Sequence, residues 1–246
     1  MEYQEKIENI VDLLKSSGRT FALTGAGVST ESGIPDYRSP GTGLWTKKDP
    51  AKVGSISALL ENPAEFYNNT IERWMMYSEA VPNNAHIALA QLERRGLLAG
   101  LITQNIDGLH VKAGSKNVYE VHGHLRTCRC FDCKKSYSMP YLAEQYRNGV
   151  NPPRCEVCNG ILRPDVVLFG DDMGESYFRA FNDINGCELL IVAGSSLQVY
   201  PVASLPAYAE KLVIINIQET PYDRHAEVVL HEQAGRVFTD LIESFL

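Results

Sequence analysis

The chain has 246 residues, 44% apolar and 22% charged, enough for one large domain or for a domain carrying a small inserted module. Its net charge of -7 argues against tight unspecific nucleic-acid binding, and no apolar run approaches the roughly 20 residues that cross a bilayer. The polar opening Met1-Glu2-Tyr3-Gln4-Glu5-Lys6 is unlike a secretory leader, so a cytoplasmic protein is expected, one whose six cysteines form no disulfide framework.

In chain order, Ile7, Ile10, Val11 and Leu14 share one face of a predicted opening helix that Ser17-Gly18 ends. Thr20 to Leu23 then reads as a buried strand running into Thr24-Gly25-Ala26-Gly27, and a helix is predicted over Ala85 to Arg95. Further strands are predicted at Leu101-Ile102-Thr103, Val118 to Val121, Val166 to Phe169, Leu189 to Ala193 and Leu212 to Ile215. Each is followed by a polar or glycine cluster: Gln104-Asn105, His122-Gly123, Gly170-Asp171, Gly194-Ser195-Ser196 and Asn216. Strands alternating with helices imply a doubly wound, Rossmann-like parallel sheet, whose carboxyl edge is where ligands bind.

Two stretches interrupt the alternation and read as insertions forming a smaller layer over that edge. Residues 38–83 are turn-rich with helical patches around Pro63 to Met76, and residues 125–162 carry the cysteine pairs. The Rossmann-like part is then about 1–37, 84–124 and 163–246 of a single catalytic domain.

Gly25-x-Gly27 after a strand suits a pyrophosphate, because glycines let backbone N–H groups approach the anion. The third glycine of the dinucleotide fingerprint would fall at Thr30, and no acidic residue stands at a second strand end about 20 residues on. Both departures disfavour a hydride-transferring dehydrogenase. Cys130-x-x-Cys133 and Cys155-x-x-Cys158 have the spacing of two knuckles offering four thiolates to one structural zinc ion, closed to substrate. Cys128-x-Cys130-x-x-Cys133 leaves three candidates for the first two positions, and Cys187 reads as packing.

The block Gly25-Ala26-Gly27-Val28-Ser29-Thr30-Glu31-Ser32-Gly33-Ile34-Pro35-Asp36-Tyr37-Arg38 resembles the signature of the sirtuins. The resemblance continues in order through Gln104-Asn105-Ile106-Asp107-Gly108-Leu109-His110, Glu120-Val121-His122-Gly123, Pro164 to Gly170, and Gly194-Ser195-Ser196-Leu197 with Asn216. It implies an NAD-dependent protein lysine deacylase that cleaves nicotinamide from NAD and moves the acyl group of lysine to ADP-ribose. By resemblance His122 is the general base, and Asn105 orients the ribose and a water. NAD is expected along Gly25, Ala26, Gly27, Thr30, Asp36, Arg38, Gln104, Gly194, Ser195, Ser196, Asn216 and Ala234. Its nicotinamide would enter a pocket at Ile34, Ile106 and Asp107, with Tyr37 covering the reactive carbon. Asp107 also reads as a helix N-cap, and that alternative stays open.

Acyl-lysine proteins or peptides would pair with Val166, Val167, Leu168, Phe169 and Gly170, facing the segment after Leu197. Counting from His122 as the family does selects Cys130 and Cys133 as the first zinc ligands, leaving Cys128 to packing. His110 and His124 read as packing or surface groups. Relatives that take acidic acyl groups carry a tyrosine and an arginine where this chain has Thr70 and Arg73, so uncharged acyl groups are expected to be preferred, with Arg73 solvated or paired to Glu72. The alternatives are mono-ADP-ribosyl transfer to protein, and a non-catalytic NAD- or zinc-binding module that would have no use for His122, Asn105 and Asp107 together.

Overall fold

The computed structural model describes residues 2–36 and 50–245. The opening helix α1 (Tyr3–Ser16) buries Ile7, Ile10, Val11 and Leu14, the stripe that the sequence predicts. Strand β1 (Thr20–Thr24) is buried along its whole length, as a strand covered on both faces must be. After the helices α2 (Pro50–Val53), α3 (Ile56–Glu61) and α4 (Pro63–Glu79) comes α5 (Asn84–Arg94). Asn83 caps α5 by accepting from Ala85 N at 3.0 Å. The same side chain ties α5 to the first loop, donating to Val28 O at 2.8 Å.

The chain continues through β2 (Gly100–Thr103), α6 (Leu109–Lys112), β3 (Val118–Glu120), β4 (Gly123–Cys130), β5 (Ser136–Ser138), α7 (Met139–Arg147) and β6 (Leu162–Val166). It closes with α8 (Glu175–Asp183), β7 (Cys187–Ala193), β8 (Ala209–Ile215), β9 (Val228–Leu230) and α9 (Ala234–Glu243). Strands β3-β2-β1-β7-β8-β9 form a six-stranded sheet with every pair parallel. In chain order within the sheet this is 3-2-1-4-5-6, the doubly wound arrangement, with its switch point between β1 and β7.

One core cluster packs α1, α5 and α9 on one face through residues such as Leu14, Leu89 and Phe238. A second fills the other face with Phe21, Ile102, Leu190 and Tyr177 of α8. The third joins the inserted elements, with Phe66, Tyr67 and Trp74 of α4 against Cys128, Leu142 and Leu162. The fold is therefore a Rossmann-like sheet bearing a smaller helical and cysteine-rich module.

One predicted element needs correction, and one strand of the parallel sheet was missed. Val166 to Phe169 is no strand of the parallel sheet: the strand is β6, which pairs antiparallel with β4 in a separate three-stranded sheet, β5-β4-β6. Pro164 is tolerated there because β6 lies at an edge of that sheet. The edge strand β9 was not predicted at all. Among the described residues no helix is long and apolar enough to cross a membrane.

Candidate active site and metal centre

The carboxyl ends of five parallel strands converge on one cleft. Its cavity, about 570 Å³ and within the range of small-molecule sites, is lined from those ends by Gly25, Gln104, His122, Gly194 and Asn216. At the switch point the loops after β1 and β7 approach so closely that Gly27 and Gly194 leave no room for a side chain. A Cβ on Gly194, whose φ is 59°, would lie 2.3 Å from Val28 N, and one on Gly27 would lie 2.8 Å from Gly194 Cα. Gly27 N donates to Gly194 O at 2.9 Å, which locks this contact. Such a crevice admits a pyrophosphate close to backbone.

Gln104 links the two halves of the cleft. Its amide Nε2 donates to Ser195 Oγ at 2.8 Å, and its carbonyl oxygen lies 3.1 Å from His122 Nδ1. A carbonyl only accepts, so Nδ1 carries the proton and Nε2 keeps a free lone pair. Burial pushes the His122 imidazole below its ordinary 6.5, against an opposing contribution from the Gln104 carbonyl. The ring on the cavity wall is thus neutral at neutral pH and suited to accept a proton. Ser195 Oγ also accepts from Leu197 N at 3.3 Å, holding Leu197 at a left-handed φ of 51° in a tight turn beside the cleft.

Asn105, nearly buried, donates from Nδ2 to Gly25 O and to Ser29 Oγ, both at 3.1 Å. Ser29 in turn donates to Asp107 Oδ2 at 2.8 Å, while Asp107 Oδ1 accepts from Leu109 N at 2.8 Å. The N-cap of α6 is Gly108 and not Asp107, which stands one residue ahead of it and holds Leu109 N and Ser29 at once. Burial raises its carboxyl above the usual range, and the two hydrogen bonds oppose that shift. Of the three residues expected at the nicotinamide pocket, Ile106 lines the cavity, and Asp107 and Ile34 do not.

Beneath Ser29 two buried imidazoles, His86 and His110, sit with ring centroids 4.7 Å apart. Burial lowers His86 to about 4, and burial with the neighbouring His86 lowers His110 well below its ordinary 6.5. His110 Nε2 lies 2.9 Å from Thr24 Oγ1, which donates to Thr103 Oγ1 at 2.9 Å. Both rings are thus neutral supports of the polar floor. The sequence shows none of this, because Ser29 and His86 carry no spacing signal and meet only through tertiary packing.

The cleft is also lined by Ala26, Thr30, Asp36, Ile106, Ser196 and Ala234, and by Val166, Val167, Leu168, Phe169 and Gly170. Tyr37 and Arg38 lie outside the described residues. The N–H groups of Val167, Leu168 and Phe169 are already engaged, by His122 O, Asp171 Oδ2 and Gly54 O. Arg163 and Asp171 fix this edge: Nη2 lies 2.6 Å from Asp171 Oδ2 and 2.9 Å from Val166 O, in a pair that is largely buried. Thr70 and Arg73 both line the cavity. The Thr70 hydroxyl donates to Phe66 O at 2.7 Å; the buried Arg73 Nε has no described partner, and no ion pair joins Arg73 to Glu72 among the described residues. Sequence reasoning passed over Trp74 of α4, Glu31 of the glycine loop and Gln233 ahead of α9, which also line the cavity.

The cysteine pairs meet as two matching turns. Cys130 N donates to Lys135 O and Cys155 N to Gly160 O, and Lys134 and Asn159, each four residues after the first cysteine, take left-handed φ values of 62° and 60°. Cys130 Sγ is 3.4 Å from Cys158 Sγ, Cys133 Sγ is 3.6 Å from Cys155 Sγ, and all four sulfurs lie within 4.8 Å of one another. Thiolates about 2.3 Å from a tetrahedral zinc ion need this spacing. The cluster fits a structural zinc ion, with Tyr137 Oη 3.0 Å from Cys155 Sγ in support. Cys128 stays outside it, buried, its Sγ directed to Ser138 O and its thiol pushed up to about 12 by burial. Cys187 is likewise buried.

The Sir2 family model matches residues 25–201. An NAD-dependent protein deacetylase 2 of Caldanaerobacter subterraneus subsp. tengcongensis is 50% identical over 96% of this chain and 94% of its own. An NAD-dependent protein deacetylase of Caldivirga maquilingensis is 47% identical over 94% of this chain and 90% of its own. Among solved structures, a Sir2 with p53 peptide and NAD+ superimposes with a TM-score of 0.90 at 37% identity, covering 97% of this chain and 98% of that one. A Sir2 bound to acetylated peptide gives 0.89 at 36% identity, with the same coverage. With a family model over most of its length and relatives of this identity, the chain belongs to the Sir2 family.

Proposed function

We propose that the protein is an NAD-dependent protein lysine deacetylase, transferring the acyl group of an acyl-lysine to ADP-ribose and releasing nicotinamide and free lysine. The observation that carries this reading is the His122 imidazole, neutral and with Nε2 free, on the wall of a cleft whose glycine crevice suits a pyrophosphate. A module that only bound NAD would have no use for such a base. The relatives' activity and the ligands of the Sir2 structures support it.

In this reading the Gly25–Gly27 and Gly194–Ser195 loops hold the pyrophosphate, and Gln104, Asn105 and Ile106 face the nicotinamide ribose. The acyl oxygen of the substrate displaces nicotinamide from the anomeric carbon. His122 Nε2 then takes a ribose hydroxyl proton, so that this oxygen attacks the acyl carbon; water completes the release of lysine and O-acyl-ADP-ribose. In this reading the described parts of the two insertions, residues 50–83 and 125–162, form the lobe over the cleft. Because the N–H groups of Val167 to Phe169 are engaged, those residues wall the acyl-lysine channel, and the peptide backbone pairs from Gly170 onward. A cytoplasmic setting keeps the four thiolates reduced for zinc.

Mass spectrometry after incubation with NAD and matched acetyl-, longer-acyl- and succinyl-lysine peptides tests the function. The expected result is free lysine, nicotinamide and O-acyl-ADP-ribose in equal amounts, with uncharged acyl groups outcompeting succinyl. Arg73 offers a carboxylate one guanidinium, and the Thr70 hydroxyl beside it is already engaged. ADP-ribose attached to the peptide instead would favour mono-ADP-ribosyl transfer. A succinyl preference that disappears in Arg73→Ala would overturn the acyl order.

The pH dependence follows from His122. Only the neutral ring accepts a proton, and burial lowers its pKa, so the active form persists to more acidic pH. The acid limb of kcat/KM is expected below 6.5, and a limb at or above that value contradicts the assignment. Asp107→Asn keeps an acceptor for Leu109 N but turns an N–H₂ toward Ser29, disrupting the Ser29–Asn105 contact. It is expected to lower kcat/KM for NAD by about 10- to 100-fold and to weaken nicotinamide inhibition, with zinc content unchanged. Unaltered inhibition with reduced stability alone would leave Asp107 as a structural tie between Leu109 N and Ser29.

A further inference from the structure

We propose that Glu31 selects the dinucleotide, admitting one with a free adenosine ribose and rejecting one that carries a phosphate there. The inference rests on the reading of the cleft as a dinucleotide site. With the reacting end at the β2 and β3 termini and the pyrophosphate at the β1–β7 switch point, the adenosine half must run the other way. That direction leads to the end of β8 and the start of α9, where Asn216, Ile217, Gln218, Gln233 and Ala234 line the cavity.

Glu31 lines the same end. It closes the short helical segment Ala26–Ser32 of the glycine loop, and its Oε2 accepts from Gly235 N at 2.8 Å, across 204 residues of chain. The carboxylate lies so close to Gly235 that a Cβ there would stand 2.4 Å from Oε2. Helix α9 has no side-chain cap of its own, since Gln233 makes no capping hydrogen bond. The first turn of a helix attracts anions. Here Glu31 already occupies it, so a ribose phosphate finds a carboxylate where it needs a donor.

A second carboxylate, Glu232, lines the same wall but is offset by Arg236 at 3.1 Å. No described cation forms an ion pair with Glu31. In dinucleotide folds of this topology an acidic residue at the second strand end discriminates against the ribose phosphate. Here the second strand ends in Gln104-Asn105, and the acid that follows, Asp107, is engaged by Ser29 and Leu109 at the reacting end; at the adenosine end Glu31 of the first loop supplies the charge instead.

The experiment compares NAD with NADP, and ADP-ribose with its 2′-phosphate, on the full chain, Glu31→Gln and Glu31→Ala. Calorimetry gives the affinities of the two ADP-ribose forms, and turnover of an acetyl-lysine peptide gives kcat/KM for each dinucleotide. Glu31→Gln retains an acceptor for Gly235 N while removing the charge, so it guards against simple loss of folding. The wild type is expected to disfavour the phosphorylated forms by roughly 10- to 100-fold, and Glu31→Gln to lose most of that ratio, chiefly through tighter binding of the phosphorylated ligand. A ratio unchanged in both variants overturns the proposal and leaves Glu31 as a cap of α9. Equal affinity of the wild type for both forms overturns it as well. Failure of every ligand to bind overturns the reading of the cleft, and this inference with it.

Discussion

His122→Ala is expected to lower deacetylation by on the order of 10²–10⁴, while exchange of labelled nicotinamide into NAD continues. The two readouts separate because the imidazole, in the proposed sequence, takes its proton only after nicotinamide has left. The substitution is structurally mild. The strand contact at this position, Val167 N to His122 O at 2.8 Å, is made by backbone and survives. What is lost is the partner of the Gln104 carbonyl, worth about 1 kcal/mol, and Gln104 remains tied to Ser195. The variant should therefore fold, bind zinc and bind NAD. Equal loss of exchange and deacetylation would place the imidazole in the first step or in the fold.

The parts of this site that were legible in the sequence share one property: each lies at the end of a buried strand. Thr20 to Leu23, Leu101 to Thr103 and Leu189 to Ala193 are apolar runs stopped by glycine or amide residues, and a parallel sheet places all such stops on one edge. The thiolate pairs were legible because ligand spacing is a local property. Where packing decides, the sequence was silent or misleading. The apolar Val166 to Phe169 resembles a strand, yet its backbone is engaged irregularly by His122, Asp171 and Gly54. The true strand, Leu162–Val166, contains Arg163, Pro164 and Asp165 and reads as a loop. An edge position excuses the proline, and the partners Asp171 and Arg129 satisfy the charges. Ser29 and Glu31 of the first loop meet His86 of α5 and Gly235 of α9, far away in sequence, and their roles exist only once those helices have packed.

Cys155→Ser is expected to release the metal and unfold the small module. The three strands β4, β5 and β6 carry only short ladders, too few to hold a sheet in isolation. The two cysteine turns join the β4–β5 connection to the approach to β6, so the ion closes the loop that these strands leave open. Binding energy at such a site is folding energy, with apparent values of roughly 10–16 kcal/mol in zinc-finger peptides. Removing one thiolate forfeits a large part of it. The packing of Cys128, Leu142 and Leu162 against Phe66 and Tyr67 then has no fixed partner surface, so the damage extends into the wall formed by Val166 to Gly170. Elemental analysis should find one zinc per chain in the wild type and a substoichiometric amount in the variant. Limited proteolysis should open the segment between Cys130 and Cys158. Cys128→Ser is the control: its sulfur stands outside the cluster, and it should keep zinc with a smaller loss of stability. A Cys155→Ser protein that is metal-free, resists proteolysis and still deacetylates would show that the four cysteines do not hold the module together.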